Sequence, residues 1–132
     1  MKNNRGSIAV EGVILAPVFV LFLVFVTFAG RVAETQHQLD LAADVAARGA
    51  SMSSAGSVSN RAVDMARMSM LQHQSSCRSF RARVMKSVVS GVTQVEVVTS
   101  CRVDIAGLSL LGIRTPTLTS TSREVVDVYR HP

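Results

Sequence analysis

Residues 5–30 read RGSIAVEGVILAPVFVLFLVFVTFAG, and the rest of the chain is organised around this stretch. Of the nineteen residues from Gly12 to Gly30 none carries a charge, and thirteen are Val, Ile, Leu or Phe. As a helix the run spans roughly 28 Å, close to the hydrocarbon thickness of a bilayer. On the insertion scale its large apolar side chains contribute on the order of −4 to −8 kcal/mol, against at most about 3 kcal/mol for Glu11 near one end. Burial in lipid wins. Thr27 is harmless there, and Pro17 is tolerated as a slight kink.

The first turn makes the stretch more than an anchor. A basic leader, residues 1–6, ends at Gly6; Ser7-Ile8-Ala9-Val10 follow, and then Glu11 opens the apolar run. The pattern resembles a type IV prepilin signal, and the cut after Gly6 that this resemblance implies would leave a new amino terminus on Ser7, one helical turn from Glu11, with both at the edge of the membrane. An acid in the first turn suits the helix dipole. It can also pair with the Ser7 ammonium of a neighbouring subunit, which would set the register of packed helices. An ionisable residue inside a span is a functional candidate by default.

This arrangement resembles the type IV prepilin signal, in which a dedicated peptidase cuts after the glycine and an acid lies five residues beyond. With Pro17, the exit Gly30-Arg31 and the downstream LAADVAAR of residues 41–48, the chain is similar to the TadE-like family, pseudopilins of the Tad system that assembles Flp-type pili. The resemblance is strongest over residues 5–50. It implies a structural role, with prepilin peptidase, other pilin-like subunits and the Tad assembly platform as partners. Flp major pilins carry a tyrosine directly after the acid, whereas Gly12 stands here, and the segment beyond the span is large for such filaments. A minor or priming pseudopilin is therefore the expectation. Two other readings compete. A basic N-terminus before a span also fits a plain anchor carrying an adhesin or binding module that never polymerises. Thr27-Phe28-Ala29 has the small residues of a secretory cleavage site, although the apolar run exceeds the usual 7–15 residues or so of a signal and has Glu11 at its start.

At 132 residues there is room for one span and one small domain. Phe80 and Tyr129 are the only aromatic side chains beyond the span, and there is no Trp. Such a domain buries little apolar surface and gains from a staple. Net charge is +5, with twelve Lys or Arg against eight Asp or Glu after Gly30. A basic surface of this kind suits anionic envelope polymers or acidic partners, or is simply solvated. It is not a nucleic-acid signal, since the arginines are scattered and no aromatics interleave with them. Lys2 and Arg5 keep the short N-terminus in the cytoplasm, which puts residues 31–132 outside. In an oxidising compartment Cys77 and Cys101 are expected to form a disulfide, worth roughly 3 kcal/mol by chain entropy; the alternative is two buried free thiols.

The chain is divided into a leader (1–6), a transmembrane helix (7–30), a helical continuation outside the membrane (31–50) and an α+β head (51–132). Val32, Leu39 and Ala46 recur at seven-residue spacing, joined by Ala42, Ala43 and Ala47, a narrow stripe of small residues that allows close helix approach. Such a stripe packs on neighbouring pilin-like helices, as Pro17, Phe19 and Phe22 would in the membrane, or on its own domain. Residues 51–59 read as a loop, and a second helix covers 60–72, capped by Ser59 or Asn60, with Ala62, Met65, Ala66, Met68 and Leu71 on its apolar side. Residues 73–82 read as a polar basic loop, followed by strands over about 83–90, 92–105 and 117–128. In the second, Val95, Val97, Thr99, Cys101, Val103 and Ile105 share one face. Gly107 to Thr115 is expected to turn, folding Leu108, Leu110 and Leu111 back onto the sheet, and Tyr129 opens a short tail. The fold class is thus α+β: a long N-terminal helix, a second helix, then a small antiparallel sheet.

The sequence contains no P-loop, dinucleotide glycine pattern, HExxH or GxSxG. His37, His73 and His131 stand alone, and two cysteines without a histidine pair do not make a metal site. The expectation is a structural protein rather than an enzyme, with no catalytic residue, cofactor, metal, nucleic acid or small-molecule substrate.

Overall fold

The computed structural model describes residues 5–53, 58–72, 76–104 and 114–126, with side chains from Val10 onward. Its elements are α1 (Arg5–Ser51), α2 (Val58–Gln72), β1 (Cys77–Val89), β2 (Val92–Val103) and β3 (Thr117–Val125). The α+β class and the order helix, helix, antiparallel sheet are as the sequence predicts. The chain divides into two compact units, Met1–Val32 and Ala33–Pro132, and α1 contributes to both.

In the first unit every described residue of the apolar run is exposed or only partly covered, and the window with span character has none of its residues buried. A helix is the one open-ended structure that satisfies its own backbone in lipid. Thr27, the single hydroxyl in the run, donates to the Leu23 carbonyl at 2.8 Å and so needs no outside partner.

The second unit is built on the alanine-rich half of α1, where strong helix formers replace the β-branched residues of the span. Thr35, Gln38, Leu39, Ala42, Ala43, Ala46, Ala47 and Ala50 are buried, an i, i+3, i+4 stripe along one face. Small hydroxyls close the end of the helix: Ser51 Oγ donates to the Arg48 carbonyl at 2.8 Å and Ser53 Oγ to the Gly49 carbonyl at 2.6 Å. On α2 the buried positions are Val58, Ala62, Ala66 and Met70. Gly49 marks a close approach of the two helices, since a Cβ there would run into the Met65 sulfur.

The sheet has the order β1-β2-β3, antiparallel throughout. β1 and β2 are joined by a two-residue turn in which Ser90 (φ 52°) and Gly91 (φ 79°) both take left-handed conformations, the geometry that matches strand twist in tight hairpins. β2 is central and supplies Val95, Val97, Thr99, Cys101 and Val103 to the core, in the alternation expected from sequence. One cluster joins Ala46, Ala47 and Ala50 to Val58, Ala62, Ala66, Val95 and Val97. A second joins Leu39 and Ala42 to Met70 and Cys101, with Cys77, Phe80 and Leu118 against it. Thr99, wholly buried, donates its hydroxyl to the Leu39 carbonyl at 3.2 Å and ties β2 to α1.

Several boundaries differ from the sequence reading. β1 begins at Cys77, inside the stretch expected to be a basic loop. Phe80, Ala82 and Val84 turn toward the core while Arg81 and Arg83 stand in solvent, so the strand has its alternation but with arginine on the wet face. α2 starts at Val58, which leaves Ser59 and Asn60 inside its first turn rather than capping it. Met68 and Leu71, expected on the apolar side, are exposed, and Met70 is buried in their place because the contact seam is the i, i+4 row from Val58. β2 ends at Val103 and β3 at Val125. Ile105, Leu108, Leu110, Leu111 and Tyr129 lie outside the described residues.

The Cys77 and Cys101 sulfurs lie at disulfide distance, 2.01 Å, with their Cα atoms 5.7 Å apart. The bridge runs diagonally between β1 and β2, beside a register irregularity between Cys77 and Ser79. It closes a sequence separation of 24 residues, so converting both cysteines to serine is expected to lower head stability by roughly 3 kcal/mol. Thermal unfolding of the full chain in detergent, with and without reductant, checks this: reductant should lower the midpoint of the native chain and leave that of the double variant unchanged.

Candidate functional site

The feature with functional potential is α1 itself, because one 47-residue helix carries two different surfaces. Gly6 and Ser7 fall in its first turns as backbone. Glu11 follows on the exposed surface, and Gly12 opens the apolar run. Nothing lies within 4 Å of where a Cβ would sit on Gly12 or Gly30, so neither glycine is required by packing within the chain. Both leave a notch in which another helix can approach closely.

Phe19 and Phe22 are exposed to 66% and 60%, and Pro17 is exposed beside them. Glu11 and Phe22 are eleven residues, about three turns, apart and share one side of the helix; Pro17, six residues past Glu11, faces elsewhere. The proline has no N–H to give the Val13 carbonyl four residues earlier, which marks the natural point for a bend.

The stripe of small residues is used differently. Leu39, Ala42 and Ala46 have no exposed surface, and all three are packed inside their own head. Of the positions singled out for helix packing, Pro17, Phe19, Phe22 and the partly covered Val32 are the ones left at the surface. Cys77 and Cys101 join Leu39 and Ala42 in one cluster, so the bridge braces the strand side of that helix contact.

One concave surface escapes a reading by periodicity. A groove of about 540 Å³ lies between α1 and α2, lined by Leu41, Val45, Met65 and Met68 with Arg61 and Asp64 at its margin. Leu41 and Val45 flank the buried stripe, and Met68 is the methionine that the helix seam excludes. Besides the buried Thr99 bond to α1, two exposed ion pairs join elements of the head among the described residues. Arg123 meets Glu96 at 3.1 Å and Arg48 meets Glu124 at 3.6 Å, pairs worth little in water.

Residues 6–48 match the family model described as TadE-like protein. The matched segment lies wholly within α1, ending three residues before the helix does, and includes neither α2 nor the sheet. The likeness to TadE-like proteins is therefore one of the N-terminal helix, and that helix is apolar and long enough for a single-pass anchor. No curated protein and no solved structure matches the chain.

Proposed function

We propose that the protein is a minor pseudopilin-like structural subunit of a Tad/Flp-type pilus assembly system. It is cut after Gly6 by a prepilin peptidase, holds its N-terminus in the cytoplasm and its head outside, and packs into an assembly through the apolar half of α1. The observation that carries this reading is the division of labour along α1. Its outer half is consumed by the head core, while its apolar half is offered bare in the same segment that matches the TadE-like model.

The chemistry follows from position. Cutting the Gly6–Ser7 bond frees an ammonium on Ser7 one turn before Glu11. Within a bundle of such helices, the carboxylate of one subunit accepts hydrogen bonds from the Ser7 ammonium of the next. In an apolar surround that pairing sets a single axial register. The exposed apolar side chains and the notches at Gly12 and Gly30 provide the packing.

The intact mass of the protein from native membranes tests the reading. A chain starting at Ser7 and still membrane-bound is the expected result. A Met1 start would favour a plain anchor, and a start at Gly30 would make this a secreted protein.

A further inference from the structure

The sheet has a second face, turned away from α1 and α2. With Phe80, Ala82 and Val84 packed toward the core, Arg81 and Arg83 point the other way; Cys101 and Val103 are buried, so Arg102 does too. The register brings these together in rows. Arg81 lies opposite Ser100, which lies opposite Thr119; in the next row outward Arg102 lies opposite Thr117. Rows on one face are roughly 7 Å apart and strands about 4.8 Å, so three guanidinium groups and three hydroxyls occupy one patch.

All three arginines are exposed, and among the described residues none of them has an acidic partner. Glu96, which shares this face, is engaged by Arg123, and Asp104 lies past the end of β2. Neighbouring like charges on adjacent strands work against the sheet, and a bound anion would reverse that effect. The fork of an arginine fits carboxylate and phosphate oxygens equally well. Among the described residues the three arginines stand exposed in rows along the strands, a spread that suits an extended polymer over a small ion. Its outward positions carry no aromatic ring on which a base could stack. The hydroxyls of Ser100, Thr117 and Thr119 both donate and accept, as sugar hydroxyls require.

From this arrangement we infer that the outer sheet face binds an acidic polysaccharide, its carboxylates or phosphodiesters on Arg81, Arg83 and Arg102 and its sugar hydroxyls on the adjoining Ser/Thr positions. The inference concerns the head and holds whether or not the chain is cut after Gly6.

The test is binding of the full chain in neutral detergent micelles to immobilised polygalacturonate and, separately, to a glycerol-phosphate glycan, with neutral dextran and a DNA duplex as controls. Two double variants with the same charge change are compared: Arg81→Glu with Arg102→Glu, and Arg61→Glu with Arg67→Glu on α2. At low salt the sheet pair should weaken binding roughly tenfold or more and the α2 pair less than about threefold. Binding to either acidic glycan with that asymmetry supports the inference, and the stronger arm identifies carboxylate or phosphate as the preferred group. Equal losses from the two pairs, no retention of either glycan, or tighter binding to the duplex than to both would overturn it. Arg81→Gln with Arg102→Gln, which adds no new charge, decides the matter if the glutamate pair fails to form its disulfide.

Discussion

Replacing Ala42 and Ala46 together by leucine is expected to unfold the head while leaving the membrane helix inserted. Both alanines are fully buried, one in each core cluster, with β2 side chains in both clusters. Each leucine adds three carbons where the interior is already closed, and overpacking of this kind costs about 1–3 kcal/mol per site. Two such sites approach the whole stability of a small domain. Val45→Leu, one residue away on the exposed side, should stay within roughly ±0.5 kcal/mol of the native chain. Limited proteolysis of the detergent-solubilised protein reads the difference: rapid loss of the head in the alanine pair, protection in Val45→Leu. If both variants were equally resistant, the small-residue face would not be core, and its purpose would have to be sought in contacts between subunits.

Glu11→Ala is expected to act in the opposite way, leaving the head and membrane insertion intact and abolishing assembly. Removing an ionisable side chain from the span makes insertion slightly more favourable. It also leaves the Ser7 ammonium of the neighbouring subunit without its carboxylate. Breaking one partner of a desolvated ion pair costs about 3–5 kcal/mol, on the order of a 100-fold or greater loss of incorporation. Glu11→Asp, which keeps the charge on a shorter arm, should restore part of it, and Glu11→Gln should not. The readout is the amount of protein in the sheared surface fraction relative to total membranes. Normal incorporation of Glu11→Ala would remove the register role and favour a non-polymerising anchor.

These two variants divide along the line between what could and could not be read from the residues. The apolar span, the α+β order and the inward face of β2 were all readable, because each rests on a strong period or an unbroken run. The partner of the alanine stripe was not. Small residues at seven-residue spacing serve the helices of other subunits and the chain's own head equally well, and only the burial of Leu39, Ala42 and Ala46 against α2 and β2 shows the second use. β1 extends six residues further toward the N-terminus than its sequence predicts, for a related reason. Its outward arginines look like loop residues until Phe80, Ala82 and Val84 are seen to alternate with them. On α2 the spacing predicts Met65, Met68 and Leu71 on the apolar side, whereas packing buries Met70 and leaves Met68 and Leu71 exposed. Gly6, Ser7 and Glu11 lie on a helix whose side chains from Val10 to Val26 are bare, and the roles proposed for them rest on their spacing alone.

The hydrogen bond from Thr99 to the Leu39 carbonyl joins residues 60 positions apart, and it has a consequence for the order of events during synthesis. At roughly 5–20 residues per second, several seconds separate the appearance of the second half of α1 from that of β2. Through that interval the alanine face has no strand to cover it. The head must therefore complete itself late and nearly all at once, after the membrane helix has already been committed to the bilayer. Such a delay favours insertion first and folding second, and it makes the short-lived, uncovered helix the natural client of whatever chaperone meets the chain as it emerges.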